Sequence, residues 1–332
     1  MTEFLDICYN AIKIQESSIP QTIEGVDKAS VSVLKDKKQI VLVGCGDSYA
    51  AADYGRWAFI HAGINALFVS PDELKHIHLD RDSVVIGITA SGRSLATIDA
   101  LQQAKRLGAT VVVLTDNAEG TASQDADHIW VTKSGVATYN TSPSAPTTAA
   151  MVYLLEVSSR LSNSDSLTHD IRQLKGIGKE MITWAEIEGK KISNNMTPDI
   201  PIYLISEGPN HVAAQIGMMK FNEFSILKGV ATIREEFRHH YNISINDGDS
   251  AVLITNSPPE KVDSIYMRVL KDALKMMTYH LYSKEDFNLR LPLVQAIPNM
   301  VALQMASYHT VLKFNPDKES FKLPHAEAFK IY

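Results

Sequence analysis

The 332-residue chain holds only two cysteines, Cys8 and Cys45. Two thiols cannot make a disulfide framework, and these lack the paired spacing of a metal site, so both are expected as reduced side chains in packed surroundings. Positive charge is scarce too: 32 Lys and Arg stand against 38 Asp and Glu, a formal net charge of −6. With no basic tail or run, the composition argues against nucleic acid as a partner. No apolar run reaches the ~18 residues of a membrane span. The opening segment MTEFLDICYNAIKIQESS carries Glu3 and Asp6 where a secretory signal carries positive charge, so a cytoplasmic protein is expected. Nucleotide motifs are missing as well. No GxxxxGK[ST] occurs, and GCGDSY supplies Gly44 and Gly46 of a GxGxxG fingerprint but puts Tyr49 at its third glycine. No HExxH spacing accompanies His239 and His240, so a metal reading of these two with Glu235 and Glu236 carries little weight.

What the chain does have is 45% apolar residues, length for two domains, and a clear alternation of texture. Residues 2–35 show apolar positions at helical spacing, including Phe4, Ile7, Cys8, Ala11 and Ile12. Short β-branched runs follow at Ile40 to Gly44, Ala66 to Val69, Val84 to Ile88, Thr110 to Leu114 and Ile129 to Thr132, mostly separated by helical stretches. Uninterrupted apolar strands alternating with helices imply an α/β fold with a parallel sheet covered on both faces. A helix is expected from Ser94 to Leu107, burying Leu95, Ile98, Leu101 and Ala104 and stopping at Gly108. Another runs from Ala145 to Leu161. The pattern then restarts: DIPIYLISEG mirrors KQIVLVGCGD, and SAVLITNSPPE mirrors SVVIGITASGR. Two tandem doubly wound units are the economical reading, with N-terminal helices over 1–35, a first domain over 36–162, a helical linker over 163–195 and a second domain over 196–332.

Ligands of doubly wound sheets collect beyond the carboxyl ends of the strands, where helix N-termini present unpaired N–H groups. Three turns there are rich in hydroxyls: GCGDSYAAA with Ser48, ITASGRS with Thr89, Ser91 and Ser94, and YNTSPSAPTT with Thr141, Ser142 and Ser144. Hydroxyls and backbone amides together can surround a phosphate without formal positive charge. Each turn taken alone has an ordinary explanation, because Ser and Thr are also the common N-caps of helices.

Together the stretches CGDSY, TASGRS and NTSPSAPTTA resemble the sugar isomerase (SIS) family, whose isomerase half of glucosamine-6-phosphate synthase carries CGTSY, SQSGET and VASTKAFTTQ. The likeness covers roughly residues 38–326. It implies two tandem SIS domains of flavodoxin-like three-layer architecture, a sugar 6-phosphate substrate, and phosphate contacts at Ser48, Thr89, Ser91, Ser94 and Ser142. In the second half, EGPNHVAAQIGMMKFNEFSILKGVATIREEFRHH resembles the family stretch ending GELKHGP. The register places the family's essential glutamate on Glu223, its lysine on Lys220 and its ring-opening histidine on His239, with His240 as the alternative.

Those residue types suit the chemistry. Moving a proton between C1 and C2 of an open-chain sugar needs a carboxylate that acts first as base and then as acid, and Glu223 fits. Lys220, at i,i+3, is placed to keep that carboxylate ionised or to stabilise an enediolate oxygen, although such pairs are usually solvated helix edges. A histidine titrating near neutral pH suits ring opening. No metal or organic cofactor is implied, and the resemblance implies a homodimer in which His239 serves the neighbouring subunit. Departures are instructive. The 332 residues hold no glutaminase segment, so amide-nitrogen transfer is not expected; Ile216 replaces a further glutamate, and Ala326 falls where the synthase has a C-terminal lysine, leaving Lys322 or His325 as substitutes. The expected activity is thus isomerisation or deamination of a hexose or amino-hexose 6-phosphate, with a deglycase of fructosyl-amino-acid 6-phosphates and a non-catalytic sugar-phosphate sensor as alternatives.

Overall fold

The computed structural model describes residues 2–142, 144–162, 164–225, 227–256 and 258–320. By internal contacts the chain divides into two compact units, residues 14–171 and residues 2–13 with 172–320. Three helices open the chain: α1 (Glu3–Lys13), α2 (Gln15–Gly25) and α3 (Lys28–Ser32). The helical spacing of the first 35 residues is therefore realised, though in pieces, and α1 belongs with the second unit.

In the unit of residues 14–171, β1 (Gln39–Val43), α4 (Asp47–His61), β2 (Ala66–Val69), β3 (Ser83–Ile88), α5 (Leu95–Arg106), β4 (Thr110–Thr115), β5 (His128–Val131) and α6 (Ala145–Leu161) follow in order. All five strands are parallel, in the order β2-β1-β3-β4-β5. The strand order reverses direction between β1 and β3, which makes their carboxyl ends the topological switch point where ligands of such sheets bind. Every residue of β3 is buried, as a strand covered on both faces requires. One detail departs from the sequence pattern. Leu95 is 45% exposed, and the buried stripe of α5 is Thr97, Ala100, Leu101 and Ala104. Steps of three residues lag the helical repeat by about 60° each, so Leu95 and Ala104 stand on opposite sides of the same helix.

The rest of the chain folds as α7 (Asp165–Gly176), α8 (Gly178–Asn194), β6 (Ile202–Ser206), α9 (Asn210–Lys220), β7 (Gly229–Ile233), α10 (Arg234–His239), β8 (Ser250–Thr255), α11 (Lys261–Arg268), β9 (Met277–Tyr282) and α12 (Pro292–Phe314). Its four parallel strands run β7-β6-β8-β9, repeating the order β2-β1-β3-β4 of the first sheet. The tandem α/β duplication read from the mirrored strands is thus present in the topology. Residues 164–195 fold largely as α7 and α8, and α8 buries Met181, Ile182, Ala185 and Ile192 in packing along α12. No described helix is long and apolar enough to cross a membrane.

Candidate functional site

At the switch point of the first sheet, three helices begin close together. The turn after β1 runs through Gly44, Cys45 and Gly46, the last at φ +54, and α4 starts at Asp47 with a half-buried Ser48 in its first turn. The turn after β3 carries Thr89 and Ser91, both buried, then Gly92 at φ +70 and a half-buried Ser94. A Cβ on Gly92 would lie 2.7 Å from the Cα of Gly120, so only glycine lets this turn lean on the loop after β4. The third turn presents Thr141, Ser142 and Ser144, all buried, before α6.

Side-chain contacts tie the three turns together. Ser94 Oγ donates to Cys45 Sγ at 3.7 Å, and Thr97 Oγ1 donates to Ser94 Oγ at 3.1 Å, joining the second turn to the first. Thr147 Oγ1, in the first turn of α6, donates to Asp47 Oδ2 at 2.9 Å and joins the third to the first. Sequence reasoning missed Thr147 and Cys45 as members of this cluster; the paired threonines of SAPTT were the available signal. Cys8 is buried as expected, but Cys45 is exposed, because the turn it occupies lines the open end of the sheet.

The ordinary explanation for these serines is helix capping, and it can be checked directly. A capping serine accepts a backbone N–H two or three residues on. Ser94 and Ser144 occupy the N-cap positions of α5 and α6, yet neither side chain makes that bond. Ser144 Oγ is buried without a partner among the described residues. Neither serine is therefore spent on a cap, and the N-termini of α5 and α6 keep N–H groups that suit an anion. Arg93, exposed on the second turn, adds a positive charge.

In the other unit, Lys220 ends α9 and Glu223 follows in a single π-turn, Phe221–Ser225. Lys220 Nζ is paired with Glu223 Oε1, with side-chain exposures of 2% and 38%. A lysine this buried is no solvated helix edge, and π-turns recur where a side chain must be re-aimed. The turn is held from both ends. Ser307 Oγ donates to the Lys220 carbonyl at 2.9 Å, and Ser225 Oγ donates to the Ser307 carbonyl at 2.9 Å. Asn222 pairs its amide with both backbone groups of Gly229. Ile216, where the family has a carboxylate, is fully buried core.

REEFRH forms the short helix α10, where its charges pair at helical spacing: Arg238 with Glu235 at 2.9 Å, His239 with Glu235 at 3.2 Å and His240 with Glu236 at 3.8 Å. The His239 side chain is 71% exposed. Thus the structure brings Lys220 to Glu223 and gathers Ser94 with the turns bearing Ser48 and Ser142, while His239 meets Glu235 of its own helix. Lys322, His325 and Ala326 lie outside the described residues.

Residues 33–158 match the family model described as the SIS domain. The glutamine–fructose-6-phosphate aminotransferase (isomerizing) of Sulfolobus acidocaldarius is 23% identical over 326 residues, covering 93% of this chain and 53% of its own. That of Pyrococcus horikoshii is 25% identical over 334 residues, covering 92% and 54%. The chain spans about half the length of these curated relatives. Among solved structures, the tagatose-6-phosphate ketose/aldose isomerase of Escherichia coli superposes with a TM-score of 0.77 at 17% identity, covering 93% of this chain and 94% of that one. The C-terminal domain of glucosamine-fructose-6-phosphate aminotransferase from Francisella tularensis gives 0.75 at 18%, covering 92% and 95%. Glucosamine-6-phosphate deaminase from Thermotoga maritima gives 0.73 at 14%, covering 93% and 95%. These likenesses extend over nearly the whole chain and show the shared fold, while the SIS match itself lies within residues 33–158.

Proposed function

We propose that this chain acts on a hexose 6-phosphate or its 2-amino form by moving a proton between C1 and C2. The observation that carries the reading is that three hydroxyl turns meet at the β1/β3 switch point while Ser94 and Ser144 leave their helices uncapped. Ser48, Thr89, Ser91, Ser94 and Ser142 take the phosphate, aided by the N-termini of α4, α5 and α6. Glu223 carries the proton, and the buried ammonium of Lys220 keeps its carboxylate charged and offsets negative charge growing on the enediolate. His239 opens the sugar ring, serving a second copy of the chain in a homodimer. The names of the similar proteins support this class: ketose/aldose isomerase, deaminase and isomerizing aminotransferase.

The test is incubation with glucosamine 6-phosphate, fructose 6-phosphate and fructosyl-lysine 6-phosphate separately, following ammonia, aldose and free amine. Ammonia or aldose is the expected product, and free amine from the third substrate assigns a deglycase instead. Glu223→Gln is expected to abolish turnover and leave ligand affinity within a few fold; equal loss of both counts against the assigned role. A second reading, a sugar-phosphate sensor without turnover, draws support from His239 being held by Glu235 on an exposed helix. Inactivity on all three substrates with retained binding selects it.

A further inference from the structure

Between Thr132 and Ser144 the described chain joins β5 to α6 without helix or strand, so its backbone groups need partners that no sheet or helix supplies. One side chain takes one of these backbone groups and gathers three hydroxyls of the segment besides. Asp116, just beyond the end of β4, receives Thr132 Oγ1 at 2.9 Å and the Ser134 backbone N–H at 2.8 Å on Oδ1. Its Oδ2 receives the Ser134 hydroxyl and, at 3.1 Å, the Tyr139 hydroxyl. Thr132 and Ser134 are buried. Burial, with the Asp116 charge and hydrogen bond, pushes the Tyr139 phenol up to about 12, so it remains a donor at any ordinary pH. Tyr139 stands two residues before Thr141 and three before Ser142, the hydroxyls of the third turn.

We propose that Asp116 is a positioning residue for the anion site: by gathering Thr132, Ser134 and Tyr139 onto one carboxylate, it fixes where Thr141, Ser142 and Ser144 stand. The inference rests on the reading of these turns as a phosphate site. An ionised carboxylate only accepts, and all the groups named here donate to it. An asparagine in its place turns one acceptor into an N–H donor that faces donors, so the loop must let go on one side. Nothing in Asp116 touches the ligand; its effect passes through the loop.

The test uses the full chain as wild type, Asp116→Asn and Tyr139→Phe, the last removing only the contact nearest the turn. Amide hydrogen exchange without ligand is expected to rise about tenfold or more over residues 136–144 in Asp116→Asn, and less in Tyr139→Phe, with the five strands unchanged. Calorimetric titration with inorganic phosphate and with fructose 6-phosphate is expected to show about tenfold weaker binding of both by Asp116→Asn, in line with losing charge-assisted hydrogen bonds. A merely structural role predicts faster exchange across the whole unit with unchanged affinity of the folded protein. Unchanged exchange in the loop overturns the proposal whether or not any ligand binds. A loosened loop with unaltered phosphate affinity overturns it also. Wild type binding neither ligand defeats the phosphate reading itself, and that result is read before either variant is compared.

Discussion

Replacing Ser144 with alanine separates a ligand-binding hydroxyl from an ordinary helix cap by the sign of two effects. If Ser144 capped α6, Ser144→Ala would lose a side-chain acceptor for a helix N–H and cost about 1 kcal/mol. In the structure Ser144 is 2% exposed, and its Oγ accepts no such bond and has no partner among the described residues. A buried hydroxyl left unpaired carries a desolvation cost of about 1–3 kcal/mol. Removing it is therefore expected to stabilise the unliganded chain by about 1 kcal/mol, a rise of about 2–4 °C for a unit of this size. If Ser144 joins Ser142 in holding the phosphate, the same change removes a donor to a charged group, worth about 1.5–3 kcal/mol, and affinity should fall about 10- to 100-fold. Thermal unfolding and titration with fructose 6-phosphate measure both. A drop in melting temperature with unaltered affinity would refute the argument and return Ser144 to the role of a cap.

Gly92→Ala should destabilise by about 2 kcal/mol or more, since it combines φ +70 with a Cβ 2.7 Å from the Gly120 backbone; urea unfolding checks this, and a loss below about 0.5 kcal/mol would show that the two loops separate freely. His280 and His309 are held below the usual histidine value of 6.5, in both cases chiefly by burial. Both stay neutral in the folded chain, and the unfolded chain takes up protons first as pH falls below about 6.5. The stability they contribute is thus present above 6.5 and is lost as pH drops towards their folded values, so the melting temperature should decline between pH 7.5 and 5.5. An equal decline in a variant carrying His280→Asn and His309→Gln would assign the effect to other groups.

The sheets were the most legible part of the chain because burial on both faces writes itself as unbroken apolar runs, as in Val84 to Ile88. Helix faces were less so. The stripe assigned to α5 misplaced Leu95 because threes approximate the repeat only over a turn or two. The hydroxyl turns could be located, but a serine before a helix looks the same whether it caps or waits for a ligand; only hydrogen-bond geometry separates Ser94 and Ser144 from caps. Lys220 and Glu223 were reached through the family resemblance, whereas the π-turn depends on Ser307, far along the chain, and no local pattern announces it. The pairing of Thr147 with Asp47 was hidden for the same reason.

The two sheets share strand order, yet their switch points have diverged in a way that explains why hydroxyls mark only one. Gly208, before α9, has φ +55, nearly that of Gly46 before α4. The backbone entry to the helix has therefore been kept in both copies. In the second copy the position is occupied by amides that bond one another: Asn299 Nδ2 donates to Asn210 Oδ1 at 3.0 Å and to the Thr255 carbonyl at 3.1 Å, and Asn210 Nδ2 donates to Asn256 Oδ1 at 2.6 Å. Asn210 and Asn299 are fully buried. The N–H donors that an anion would need are spent inside the protein, on the oxygens of Asn210, Thr255 and Asn256. In the first copy Ser94 and Ser144 leave their helices uncapped, and the amide pairing of the second switch point has hydroxyls and a thiol in its place. A duplicated fold can thus keep its strand order while one copy turns its polar groups inward and the other holds them ready for a ligand.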